Sequence, residues 1–167
     1  MNILIALSDR YFGDAIVDFM RSRKWPAETR VLVMCVVEPV DATPDWKDKF
    51  VARQVKLLED IVYELKLHNP ELSVEKALTS GKASSSILSQ AKEANADLIV
   101  MGSHGRKGLE RLLLGSVALA VTAKADCSVA IVKPSQLSYL DVSITEEDMP
   151  QSVCEINTGE ALPAESK

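Results

Sequence analysis

The first 134 residues alternate short continuous apolar runs with longer amphipathic stretches. "NILIAL" (2–7), "RVLVMCVV" (30–37) and "DLIVM" (97–101) are runs of the kind found in strands covered on both faces. "LSVEKAL" (72–78) is more polar and reads as an edge strand, and "SVAIVK" (128–133) is the last strand. Between them, "GDAIVDFMRS" reads as a helix with Ala15, Ile16, Phe19 and Met20 inward. The clearest helix follows Thr43 as N-cap and Pro44 as first helical residue, with Val51, Val55, Leu58, Val62 and Leu65 as its apolar stripe and Asn69-Pro70 as its stop. Ala83 to Ala94 forms a third helix, and Leu114, Val117 and Val121 keep helical spacing in a fourth.

Strict alternation of buried strands and helices predicts an α/β fold: an open five-stranded parallel sheet with helices on both faces, Rossmann-like in architecture. Such sheets bind ligands beyond the carboxyl ends of their strands, where the strand order reverses. If the first strand is central, the loops meeting at the reversal are "SDRYFGD" and "GSHGRKG".

The second of these loops opens "MGSHGRKGLERLLLGSVA" (101–118), which contains Gly102, Gly105, Gly108 and Gly115. Glycine at 102 and 105 leaves room for backbone N–H groups to close on an anion and permits positive dihedrals. Gly115-Ser116 opens a helix whose first amides and dipole favour a phosphate, with the Ser116 hydroxyl as a further donor. His104, Arg106, Lys107 and Arg111 place cationic or titratable groups nearby, although each also reads as an ordinary solvated loop side chain. Neither a P-loop nor a dinucleotide fingerprint is present, because Gly81-Lys82 precedes Ala83 and "SDRYFG" follows the first strand.

The spacing G-x2-G-x9-G-[ST] at Gly102, Gly105, Gly115 and Ser116, together with "ILIALSD", "VLVMCVVEP", "DLIVMGSHG" and "DCSVAIVKP", resembles the ATP-binding branch of the universal stress protein family. The resemblance covers most of residues 1–134 and implies strand order 3-2-1-4-5, a homodimer, and an adenine nucleotide (ATP, or ADP or AMP, with or without Mg) across the ends of strands one, two and four. By position it implies nucleotide-binding roles for Val36, Met101 and Gly102 around the nucleoside, and for Gly105, Arg106, Gly115, Ser116 and Val117 around the phosphates. The family usually ends its first strand with an aspartate that contacts the nucleoside. Here Ser8 stands in that place and Asp9 follows one position later, so both are candidate contacts.

Charge divides the chain into two regions. Residues 135–167 hold seven of its 24 acids and one of its 19 bases, leaving 17 acids and 18 bases in residues 1–134. The expectation is a nearly neutral nucleotide-binding domain over 1–134 and an acidic C-terminal tail over 135–167, partly or wholly mobile, in which only "YLDVSI" (139–144) alternates enough to pack. A nearly neutral body argues against nucleic acid as partner, and no run approaches the roughly 20 apolar residues of a membrane span. "MNILIALSD" lacks a basic leader, and Cys35, Cys127 and Cys154 are too widely spaced for a zinc site, so a cytoplasmic protein is expected.

No strong catalytic constellation is evident: Asp9, Asp14 and His104 are weak candidates for metal or base roles, and the expectation is no enzyme, or at most slow ATP hydrolysis. The apolar last strand, Ser128 to Lys133, is the expected dimer edge. The alternative reading is a nucleotide-free interaction module of the same fold, using the acidic tail for recognition.

Overall fold

The computed structural model describes residues 1–39, 41, 43–103 and 114–133. In chain order the elements are β1 (Asn2–Leu7), α1 (Arg10–Arg21), β2 (Arg30–Val37), α2 (Pro44–His68), β3 (Ser73–Ser80), α3 (Ala83–Glu93), β4 (Leu98–Gly102), α4 (Ser116–Lys124) and β5 (Ser128–Val132). All strand pairings are parallel, and the sheet order is β3-β2-β1-β4-β5. The order expected from the family resemblance is therefore the observed one, with "LSVEKAL" in an edge strand.

The pleat sorts the apolar runs between the two faces. Ile3, Ile5 and Leu7 pack with Val31, Val33 and Cys35 beneath α1 and α2, whereas Leu4, Ala6, Met34, Ile99 and Met101 pack beneath α3 and α4. Continuous apolar runs are needed because both faces are covered, and burying each large aliphatic side chain contributes about 1.5–3 kcal/mol.

Three helices differ from the sequence reading. α1 begins at Arg10 rather than Gly13, because Asp9 caps it, and its buried residues are Phe12, Gly13, Ile16, Val17 and Met20. α2 starts as expected, at Pro44 after Thr43, but buries Gln54, Leu57, Leu58, Ile61 and Leu65, while Val51, Val55 and Val62 are only partly buried. The stripe turns because α2 packs on α1 as well as on the sheet. A Cβ on Gly13 would lie 2.8 Å from Ile61 Cδ1, so glycine permits this close approach. In α4 the buried residues are Ala118 and Val121, while Leu114 precedes the helix and is exposed.

Candidate functional site

The strand order reverses between β1 and β4, whose carboxyl ends lie side by side there, with β2 on the other side of β1. Ala6 pairs with Met101, so two residues further on Ser8 is level with Ser103. Leu7 pairs with Cys35, so Ser8 is also level with Val36. Arg30 N–H donates to Met1 C=O and Gly81 N–H donates to Val37 C=O, so alternation along β2 turns the backbone groups of Val36 toward β1. Ser8, Val36 and Met101 thereby share the α3/α4 side of the sheet: Met101 is buried there, Val36 packs against the same cluster, and Ser8 follows Leu4 and Ala6 in the alternation.

α4 is tied to the same place through Ser103. Ser103 N–H donates to Val132 C=O at 3.2 Å, and Ser103 C=O accepts from Gly115 N–H at 2.8 Å. Gly115 is the N-cap of α4, with φ −60° and ψ 155°, an extended conformation open to any residue.

The helix N-termini differ in how their first amides are satisfied. At α1, Asp9 Oδ1 accepts from Phe12 N–H at 3.0 Å. At α2, Thr43 Oγ1 accepts from Trp46 N–H at 3.4 Å. At α3, Glu38 reaches over from the end of β2, and its Oε1 accepts from Ala83 N–H at 2.7 Å. Gly115 has no side chain to offer α4, and among the described residues that helix has no side-chain cap. The amides opening α4, with the exposed Ser116 hydroxyl, can therefore serve an external anion.

Asp9 and Gly102 belong to the opposite, α1 side. Asp9 is buried, with one carboxylate oxygen capping α1 and the other accepting from Ser8 Oγ at 2.9 Å. Gly102 does not adopt a positive φ, and a Cβ there would lie 2.5 Å from Phe12 Cδ1. Its missing side chain makes room for an aromatic ring from α1, in place of the dihedral freedom expected from the sequence. The backbone of Gly102 still ends β4 beside the crevice, paired with Val132. Ser116 and Val117 open α4. Gly105 and Arg106, with His104, Lys107 and Arg111, lie outside the described residues, as does the acidic tail.

Asp9 as a helix cap was legible as an Asp placed just before an apolar-periodic stretch. The contribution of Glu38 to α3 was not, since 45 positions separate donor and acceptor. Among the described residues no group of three or more His, Cys, Asp or Glu is placed to hold a metal ion, and no helix is long and apolar enough to cross a membrane.

Residues 22–133, more than half of the chain, match the universal stress protein family. The chain belongs to that family. It is 44% identical over 62 residues to universal stress protein MJ0531 of Methanocaldococcus jannaschii, covering 37% of this chain and 36% of the relative. It is 37% identical over 94 residues to universal stress protein A homolog 2 of Coxiella burnetii, covering 56% of this chain and 61% of the relative. Both matches thus span less than two thirds of the relative's length.

Among solved structures of this family, protein MJ0577 of M. jannaschii superposes with a TM-score of 0.69 at 23% identity, covering 81% of this chain and 96% of that one. The Archaeoglobus fulgidus universal stress protein in complex with dAMP gives 0.56 at 22% identity, covering 80% and 98%. An Arabidopsis thaliana family member with AMP bound gives 0.60 at 18% identity, covering 81% and 93%. These likenesses establish the shared fold, and two of the three proteins carry an adenine nucleotide.

Proposed function

We propose that this chain binds an adenine nucleotide between the carboxyl ends of β1 and β4, as a member of the ATP-binding branch of its family. The ligand is ATP, or ADP or AMP, with or without magnesium. The observation that carries this reading is the start of α4: it is the helix without a side-chain cap among the described residues, and Ser103 holds it at the end of β4, level with Ser8. Helix amides and dipole at that point favour a phosphate. The Ser116 hydroxyl adds a donor, and the backbone of Val36 faces the end of β1 from β2, level with Ser8. The adenine nucleotides held by the A. fulgidus and Arabidopsis relatives support the choice of ligand.

The role that fits this site is regulatory: a cytoplasmic homodimer, paired through β5, whose stability and surface respond to bound nucleotide in a stress response, with at most slow hydrolysis. The acidic residues described near the gap support this, since Asp9 spends its carboxylate on α1 and on Ser8, and Glu38 spends its own on α3.

The test is to denature the purified protein and separate the released small molecules by chromatography, then to follow its melting temperature with added ATP and magnesium. Release of adenine nucleotide near one per chain, or a melting shift that grows with ATP concentration, is the expected result. Absence of both would overturn nucleotide binding and leave a nucleotide-free dimeric interaction module, the reading favoured by a serine standing where the family usually has aspartate.

A further inference from the structure

Two helices on one face of the sheet begin at its carboxyl end. α3 follows β3 directly, and Ser103 ties the start of α4 to the end of β4. The two share an apolar cluster, with Ile87 and Ala91 from α3 and Ala118 and Val121 from α4. Packed helices run about 8–10 Å apart, so the first amides of α3 and α4 are rival positions for one set of phosphates. By local sequence α3 is the better of the two: "GKASSS" (81–86) brings Lys82 and three serines, whereas "GSVA" (115–118) brings one serine and no charge. Lys82, the N-cap of α3, makes no side-chain cap bond of its own.

The fold reverses that ranking. Glu38, the residue after β2, reaches across to α3, and its Oε1 accepts from Ala83 N–H at 2.7 Å. One residue earlier, Val37 C=O accepts from Gly81 N–H at 3.1 Å, so the backbone beneath Glu38 holds its carboxylate over the start of α3. A carboxylate there takes one free amide, uses the favourable end of the helix dipole and repels a second anion. At α4, one helix spacing away, the same charge is screened over a Debye length of about 8 Å and costs a phosphate little. We propose that Glu38 is an orientation-determining residue: by closing α3 to phosphates, it directs the nucleotide to lie with its phosphates on α4. This rests on the nucleotide reading above and adds to it the reason one of two rival helix ends is used.

The experiment follows backbone amides of the full, isotope-labelled chain by NMR during titration with sodium tripolyphosphate, which lacks base and sugar and so reports phosphate preference alone. In the native protein the Ser116 and Val117 amides are expected to shift saturably, while those of Ala83, Ser84 and Ser85 stay still. In Glu38→Ala these α3 amides are expected to shift as well, with binding there about tenfold tighter than in the native chain, the size of one charge-assisted hydrogen bond. Glu38→Gln keeps an oxygen for Ala83 N–H without the charge, so its α3 response is expected to fall between the two. A merely structural role for Glu38 would give α3 no new response to the anion. Silent α3 amides in Glu38→Ala, with ATP still bound by the native chain, overturn the proposal and leave the nucleotide reading standing. So do α3 amides that shift in the native chain as readily as those of α4. If neither tripolyphosphate nor ATP moves the α4 amides of the native chain, both readings fail together.

Discussion

Gly102 and Phe12 compete for one volume: a Cβ on Gly102 would stand 2.5 Å from Phe12 Cδ1, 2.6 Å from Cγ and 3.1 Å from Cβ. Phe12 is buried in the first turn of α1, so its ring has little freedom to withdraw. Gly102→Ala is expected to cost about 1–3 kcal/mol in urea denaturation, as overpacked core substitutions do. Phe12→Ala removes Cγ and Cδ1, the two atoms in closest conflict, so the double variant is expected to be more stable than the two single losses added together, a coupling that a double-mutant cycle reads directly. If Gly102→Ala instead left stability untouched and abolished ATP binding, the bare Cα would belong to the ligand and not to Phe12.

Asp9 carries a structural load separable from any ligand. Asp9→Ala deletes the cap of α1 and orphans Phe12 N–H, which costs about 1 kcal/mol for a typical N-cap. The expected loss appears in thermal or urea unfolding without nucleotide. Asp9→Asn is expected to retain most of the native stability in the same measurement.

Gly115→Val tests the start of α4. At φ −60° and ψ 155° the backbone accepts an L side chain, so the unliganded melting temperature is expected to stay within a few degrees of native. The branched side chain would crowd the amides of Ser116 and Val117. The melting shift produced by ATP is therefore expected to vanish, and a full shift in this variant would count against phosphate binding at α4.

Asp14 makes stability depend on pH in a known direction. Burial raises its carboxyl above the ordinary 3.8; the Arg10 guanidinium opposes the rise and the Glu64 charge reinforces it. Arg10 Nε lies 2.7 Å from Asp14 Oδ1, while the Arg10 guanidinium also pairs with Glu64 on α2. A raised carboxyl means the folded chain holds this proton more tightly than the unfolded one. Its stabilising contribution is full below the unfolded value and fades as pH rises through the folded value. Asp14→Asn cannot ionise, so its stability relative to native is expected to improve between about pH 3 and pH 6. A flat difference across that range would show that Arg10 cancels the effect of burial.

The β5 edge bears on assembly. Ser103 N–H donates to Val132 C=O, so alternation turns the backbone groups of Val129 away from β4. Val129→Pro removes one donor from the free edge and none from the β4 ladder. Sedimentation is expected to show a dimer for the native chain and a monomer for this variant; a variant that stays dimeric would place the interface elsewhere.

Features encoded by near neighbours could be read without coordinates. The buried strands showed as apolar runs, and α2 showed its limits through Thr43, Pro44 and Asn69-Pro70, because periodicity and capping act within one or two turns of chain. The glycine spacing from Gly102 to Ser116 likewise pointed to the loop after β4. Contacts between distant segments decided the rest. Phe12 determines why residue 102 lacks a side chain, Gly13 and Ile61 turn the buried stripe of α2, and Glu38 occupies the first amide of α3. Ser8 shows the limit most clearly: that it stands in the family's aspartate position was visible, but what lies beside it was not. Only the strand order, which sets β1 between β2 and β4, brings Ser8 level with Val36 and with Ser103, because strand pairing joins segments far apart in the chain that no local pattern specifies.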